Sequence, residues 1–149
     1  MEHEGFMQMA LQEAQKAYAL GEVPIGAVVV QNGQVIARAH NLSHSTNNPL
    51  AHAEHLAIQA ALQATGQKYL SDCTLYVTLE PCPMCAGVLL MARLKECYFA
   101  AADARQGCVE SQYNLLDDTC FYHRVKSCGG IARQEAEQLL QTFFKEKRK

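Results

Sequence analysis

Apolar residues recur at Met7, Ala10, Leu11, Ala14, Ala17 and Tyr18, the spacing of one helical face, and predict an amphipathic helix from Glu4 to about Leu20. Gly21 ends it. Pro24-Ile-Gly-Ala-Val-Val-Val30 is a continuous apolar run and predicts a buried strand. Asn32-Gly33 is a two-residue hairpin signal that returns Val35 to about His40 as the partner strand. Residues 41 to 50 are polar, with Asn47-Asn48-Pro49 closing a loop. From His52 to Ala64, the positions Ala53, Leu56, Ala57, Ala60, Ala61 and Ala64 line one face of a second helix. Cys73 to Leu79 reads as a strand, and Pro81 leads into a helix from Cys82 to about Ala92. Lys95 to Ala101 is a further strand, followed by an irregular stretch with a short helix near Leu115. Tyr122 to Lys126 is expected as a short strand, and Ala132, Ala136, Leu139, Leu140 and Phe143 mark a terminal helix.

Strands alternating with helices imply an α/β architecture: a largely parallel sheet covered on both faces, with one antiparallel hairpin at its start. A chain of 149 residues is expected to form one domain over 1–149. No apolar run approaches the ~20 residues of a membrane span. The opening Met-Glu-His-Glu-Gly has no basic start or apolar stretch of a secretory signal, so the cytoplasm is the expected location. Seven cysteines, an odd number, then point to reduced thiols. Cys73 and Cys97 sit in apolar runs and are expected in the core; Cys108, Cys120 and Cys128 show no metal-ligand spacing. The net charge of −2 hides an asymmetry, because residues 145–149 (Lys-Glu-Lys-Arg-Lys) carry +3 and the rest carries −5. Such a tail can reach a phosphate backbone, although a lysine-rich end is also commonly just solvated.

Two short motifs carry the chemistry: His52-Ala53-Glu54 and Pro81-Cys82-Pro83-Met84-Cys85. One imidazole and two thiolates make three nitrogen or sulfur ligands, one short of a closed structural zinc site, which leaves a position for water. Cys82 and Cys85 lie in the first turn of a predicted helix, whose partial positive charge favours thiolates. Zinc lowers the pKa of a bound water towards neutrality, and Glu54 is the group available to move its protons. The spacing leaves one difficulty: in a helix interior Glu54 would lie ~200° around from His52. Three other readings compete. His55 could complete a structural zinc site, Cys82 and Cys85 could form a redox pair, and Glu54 could be a surface ion-pair partner.

His-x-Glu followed by Pro-Cys-x-x-Cys is the zinc deaminase signature, and the chain resembles the bacterial tRNA-specific adenosine deaminases nearly end to end. Glu22-Val-Pro-Ile-Gly-Ala-Val28, Asn41, Ala51-His-Ala-Glu54, residues 74–87, Ala102-Asp-Ala-Arg-Gln-Gly107, His123-Arg-Val125 and the Phe143-Phe144 tail all fit that family. The resemblance implies a three-layer α/β/α fold of the cytidine-deaminase kind, with a mixed, mostly parallel sheet of about five strands. It further implies one zinc ion per subunit on His52, Cys82 and Cys85, with Glu54 as proton shuttle and Asn41 and Ile25 at the base. Asp103, Arg105, Phe144 and Arg148 would lie along the path of a tRNA anticodon loop, in a homodimer converting the wobble adenosine to inosine. Guanine and cytosine deaminases share the metal motif, so a free base or nucleoside is the competing substrate, and a non-catalytic RNA-binding subunit a more distant reading. The chain departs from the family at Cys108-Val109-Glu110-Ser111, where a small-residue run is usual and where Glu110 could oppose phosphate.

Overall fold

In the computed structural model, which describes residues 3–147, the elements follow the hydrophobic pattern closely. Helix α1 (His3–Ala19) precedes the hairpin β1 (Gly26–Gln31) and β2 (Gln34–His40). Then come α2 (Ala53–Thr65), β3 (Cys73–Leu79), α3 (Pro83–Met91) and β4 (Glu96–Ala101). A 3-10 turn (Leu115–Asp117), β5 (Lys126–Gly129) and α4 (Arg133–Lys147) complete the described chain. Asn32 and Gly33 both take positive φ, 51° and 78°, as the tight hairpin turn requires. No described helix is long and apolar enough to cross a membrane.

The sheet order is β2-β1-β3-β4-β5. β1 is antiparallel to both β2 and β3, whereas β3–β4 and β4–β5 are parallel pairs. Four strands therefore share one direction and β1 alone opposes them. The antiparallel β1–β3 pairing was not legible from the hairpin signal, because the connection between those strands is long and carries α2.

Alternation within the strands sorts the core into two layers. Ala27, Val29, Leu75, Val77, Cys97 and Phe99 face α2 and α3, while Val28, Val30, Tyr76 and Ala100 face α1 and α4. That is why β1 reads as an unbroken apolar run: both of its faces are covered. Cys73 and Cys97 are fully buried, as expected of small core residues. The fifth strand departs from expectation. Tyr122 is fully exposed and Phe121 partly so, and the pairing begins only at Lys126, opposite Glu96. An exposed edge strand reading Lys-Ser-Cys-Gly has no alternating pattern to read, while the neighbouring aromatics imitate one.

Helix α1 approaches β1 at one point where no side chain fits. A Cβ on Gly26 would lie 2.1 Å from the Ala10 carbonyl oxygen and 2.4 Å from the Ala14 nitrogen. Both are helix backbone and cannot rotate away. Gly26→Ala is expected to destabilise the fold by about 3 kcal/mol, the upper range for overpacking, measured as a lowered urea midpoint. An unchanged midpoint would show that α1 can shift without cost.

Candidate active site

The topology collects chemistry at one edge of the sheet. Strands β2, β3 and β4 all end there and β1 begins there, as the pairings Gly26–His40, Ala27–Val77 and Leu79–Ala101 require. Ile25, Asn41, the entry to α2, the entry to α3 and the loop after Ala101 are therefore neighbours despite their spread in sequence. Ligand sites in α/β sheets form at such carboxyl ends.

His52 is the N-cap of α2 and Cys82 the N-cap of α3, both with extended backbone. Pro83 opens α3, where the missing N–H costs no helical bond. His52 Nδ1 lies 3.6 Å from Cys82 Sγ and 3.6 Å from Cys85 Sγ. All three ligand atoms lie within 4.8 Å of one another, and His55 is not among them; its Nδ1 instead meets the Leu50 carbonyl oxygen at 3.1 Å. A tetrahedral ion with Zn–S of about 2.3 Å and Zn–N of about 2.0–2.1 Å sets a sulfur–nitrogen edge of about 3.5 Å. The observed edges match, so the donor set fits such an ion and leaves one position uncommitted. Without an ion the thiols share a proton. The hydrogen bond from Cys85 holds Cys82 down to about 4, against the opposing effect of burial. Cys85 is pushed up in turn by that bond and by burial. The His52 imidazole is raised, chiefly by its contact with Cys82.

Because His52 stands outside the helix, the angular objection to Glu54 disappears: only Glu54 has helical geometry, in the first turn of α2. Its side chain is 4% exposed. Burial pushes its carboxyl up to about 7, with the Cys82 charge adding to the rise and His52 opposing it. Glu54 also meets Cys85 directly. A buried carboxyl in this range is not a surface ion-pair partner.

Asn41 is buried, and its Oδ1 accepts a hydrogen bond from Ala53 N at 2.8 Å. His52 makes no side-chain cap, so Asn41 caps α2 from the preceding loop and fixes the His52 segment. Ile25 is half-buried against the core beneath the same edge, and its carbonyl oxygen accepts from Asn41 N. Asp103, Arg105 and Phe144 line one groove of about 710 Å³ with Val23 and Leu140. Asp103 Oδ1 accepts from the backbone of Arg105 and Gln106, so its carboxylate shapes the loop. Arg148 lies outside the described residues.

Sequence reasoning missed Glu80. It is 2% exposed, and its carboxylate accepts five hydrogen bonds, from the backbone of Asp103, Val109, Glu110 and Ser111 and from the Ser111 hydroxyl. Burial alone would raise its pKa, but these donors, Glu110 N and the Ser111 hydroxyl foremost, hold it below the ordinary carboxylate range. The signal was present: Glu80 is the one charged residue between Asp72 and Arg93. Glu22, fully buried, plays a parallel part by accepting from the His44 and Ser45 backbone of the 41–50 loop. At the departure 108–111, Cys108 and Val109 are buried in the core and Glu110 points to solvent.

A layered α/β sheet with a His-Cys-Cys cluster and a near-neutral glutamate at its carboxyl edge defines a hydrolytic nucleobase deaminase. A family model described as MafB19-like deaminase matches residues 1–148, and the chain belongs to that family. A tRNA-specific adenosine deaminase of Bacillus subtilis (strain 168) is 46% identical over 144 residues, 97% of this chain and 89% of its own. A solved structure from a study of A-to-I editing by tRNA:A34 deaminases at the wobble position of transfer RNA superposes with a TM-score of 0.88. It is 42% identical and the match covers 91% of this chain and 99% of that one. A guanine deaminase from Bacillus subtilis superposes with a TM-score of 0.65 at 41% identity, over 68% of this chain and 66% of that one.

Cys85→Ser is expected to lower bound zinc well below one ion per chain in purified protein; full occupancy by elemental analysis would remove Cys85 from the ligand set. Glu54 also makes the metal-free protein sensitive to pH. Its folded pKa lies above the unfolded value of 4.5, so its ionisation penalises only the folded state. That penalty is absent below about pH 4.5 and grows through pH 7, reaching about 3 kcal/mol. In chelator-treated protein, Glu54→Gln should therefore gain stability over wild type at pH 8 and almost none at pH 4.5. A gap that does not widen with pH would show that Glu54 is not desolvated.

Proposed function

We propose that this protein converts adenosine to inosine at the wobble position of a tRNA anticodon, with zinc held by His52, Cys82 and Cys85. The observation that carries this reading is the buried Glu54 carboxyl beside the three-ligand cluster, at the same sheet edge as the groove lined by Arg105 and Phe144. The reaction breaks the C6–N bond of adenine, forms a C6–O bond from water and releases ammonia. Zinc in the cluster would polarise that water so that it gives up a proton near neutral pH.

Glu54 takes this first proton and delivers it to the ring nitrogen N1. It then carries the remaining hydroxyl proton to the departing amine, which leaves as ammonia. A carboxyl near 7 accepts and donates at the same pH, as both transfers need. Asn41, whose Oδ1 is engaged by Ala53, turns its amide NH₂ to the purine, and Ile25 supplies an apolar wall. Arg105 and the exposed Phe144 face the RNA, with Asp103 holding the loop that carries Arg105. The basic residues of 145–149, Arg148 included, supply positive charge for phosphate. An anticodon loop suits such a site because its bases are unpaired and can be splayed out. The chain acts as one domain, in a homodimer, in the cytoplasm.

A non-catalytic subunit would not need Glu54 together with all three ligands. The guanine-type reading remains a measurable alternative, because the metal motif is common to both chemistries. Purified zinc-loaded protein is expected to form inosine at the wobble position of an anticodon stem-loop, and Glu54→Gln to lower turnover at least 100-fold, within the usual range for general acid–base groups. Xanthine from guanine with no inosine in the stem-loop would overturn the proposal.

A further inference from the structure

Glu80 occupies a position that the chemistry above does not use. Its carboxylate is buried, yet among the described residues it forms no ion pair. It is satisfied instead by a ring of loop donors. Asp103 N (2.9 Å) and the Ser111 hydroxyl (2.5 Å) reach Oε1. Val109 N (3.1 Å), Glu110 N (2.8 Å) and Ser111 N (2.9 Å) reach Oε2. The loop is thus wrapped around one side chain, and the fit is tight. A Cβ on Gly107 would lie 2.3 Å from the Glu80 carboxyl carbon and Oε1. On the backbone side, Glu80 N donates to Ala101 O and Pro81 O accepts from Cys108 N, both at 2.9 Å. The segment that delivers Cys82 and the loop that delivers Asp103 and Arg105 are therefore one hydrogen-bonded unit.

We propose that Glu80 is a positioning residue for substrate binding: it fixes the 103–111 loop so that Arg105 and the groove shared with Phe144 meet the polynucleotide next to the reacting base. This rests on the RNA reading above. The loop has no strand or helix between Ala101 and Leu115 to hold it; the Asp103 carboxylate and backbone turns shape it from within, and these five bonds, with the Cys108–Pro81 bond and the burial of Cys108 and Val109, tie it to the sheet edge. A charged acceptor is needed because all five partners donate. A neutral amide of the same shape would turn its NH₂ against Asp103 N in one orientation, where the Ser111 hydroxyl can rotate to accept, or against the N–H groups of Val109, Glu110 and Ser111 in the other, and buried donors left without acceptors are costly. The consequence is local. The Glu80 carboxylate makes its hydrogen bonds to the loop and none to the cluster or Glu54, so its loss should weaken the grip on a long substrate more than the chemical step.

The test uses zinc-loaded Glu80→Gln, with Ser111→Ala as a milder second variant that removes one donor and leaves the carboxylate. Amide hydrogen exchange on the RNA-free holoenzyme is expected to show residues 103–111 exchanging at least tenfold faster in Glu80→Gln, with α2 and α3 unchanged and zinc retained. The KM for the anticodon stem-loop should rise at least tenfold with kcat within about threefold, and Ser111→Ala should shift both readouts in the same direction by less. Loop protection equal to wild type in both variants would overturn the proposal, as would a fall in kcat at constant KM. Loss of zinc from Glu80→Gln would place Glu80 in support of the metal, and then unchanged loop exchange in Ser111→Ala would overturn the assignment. If wild-type protein makes no inosine in the stem-loop, the RNA reading fails on that result alone, while exchange still decides whether Glu80 holds the loop.

Discussion

Two helices must begin within a few ångströms of one another, and most of the molecule serves that requirement. His52 and Cys82 each stand just ahead of a helix, and the 3.6 Å approach of His52 Nδ1 to both sulfurs needs α2 and α3 fixed on the same sheet face. The packing that fixes them is the apolar layer of Ala57, Ile58, Ala61, Ala86 and Leu89 against β1, β3 and β4. Small residues on α2 let it lie close to the strands, and Pro83 starts α3 abruptly after the ligand. A cluster of three ligands without this scaffold would be an entropic liability, since each side chain would have to be ordered at its own cost. Placed at helix starts, the thiolates also gain from the unpaired N–H groups and dipole of α3.

Much of this was legible because periodicity reports burial. The helices and the first four strands follow apolar spacing, and the grouping of His52, Cys82 and Cys85 follows from residue type and spacing. The sequence could not reveal that His52 is a cap outside its helix, and that one conformational fact makes His52 and Glu54 compatible. Nor could it reveal the β1–β3 pairing, which closes the edge where Ile25 and Asn41 meet the ligands. The misplaced fifth strand has a related cause. Lys126–Gly129 is held by backbone pairing to β4 and by the room Gly129 leaves for the Phe99 ring, and neither leaves an apolar pattern. Glu22 and Glu80 were passed over because acids in sequence read as surface. Buried acids surrounded by backbone donors have no sequence periodicity at all.

The buried acids of this fold divide by what surrounds them. Glu80 has five donors and stays ionised, held below the ordinary carboxylate range. Glu22 is likewise lowered by the Ser45 and His44 donors, against its own desolvation. Glu54 has burial and a neighbouring thiolate instead, and rises to about 7. Carboxyls with almost no accessible surface therefore shift in opposite directions, according to how desolvation balances against the donors each one meets. The first two work as fixed charges that order loops. The third meets its own backbone N–H and Cys85, but desolvation outweighs both.

This division bears on how one metal motif serves different bases. The His-Cys-Cys cluster, Glu54 and the sheet edge carry nothing that distinguishes one amino-substituted ring from another, so they do not by themselves choose the substrate. A guanine deaminase matches this chain over only about two thirds of each, while the wobble-deaminase structure matches over nearly all of itself. Selection must then lie in what surrounds the cluster, and the two segments at its mouth are the 41–50 and 103–111 loops. Each is anchored by one buried carboxylate, Glu22 or Glu80, in place of secondary structure. Loops fixed in this way can change length and surface residues without disturbing the ligands, provided the anchoring acid keeps its donors. Cys108, Val109 and Glu110 illustrate the point. Glu110 turns its side chain to solvent, yet the backbone N–H groups of Val109 and Glu110 reach Glu80, and the Cys108 and Val109 side chains join the core. The His-Cys-Cys cluster and the 103–111 loop thus meet at Glu80 and Pro81, the residues just before Cys82, where one backbone segment serves both.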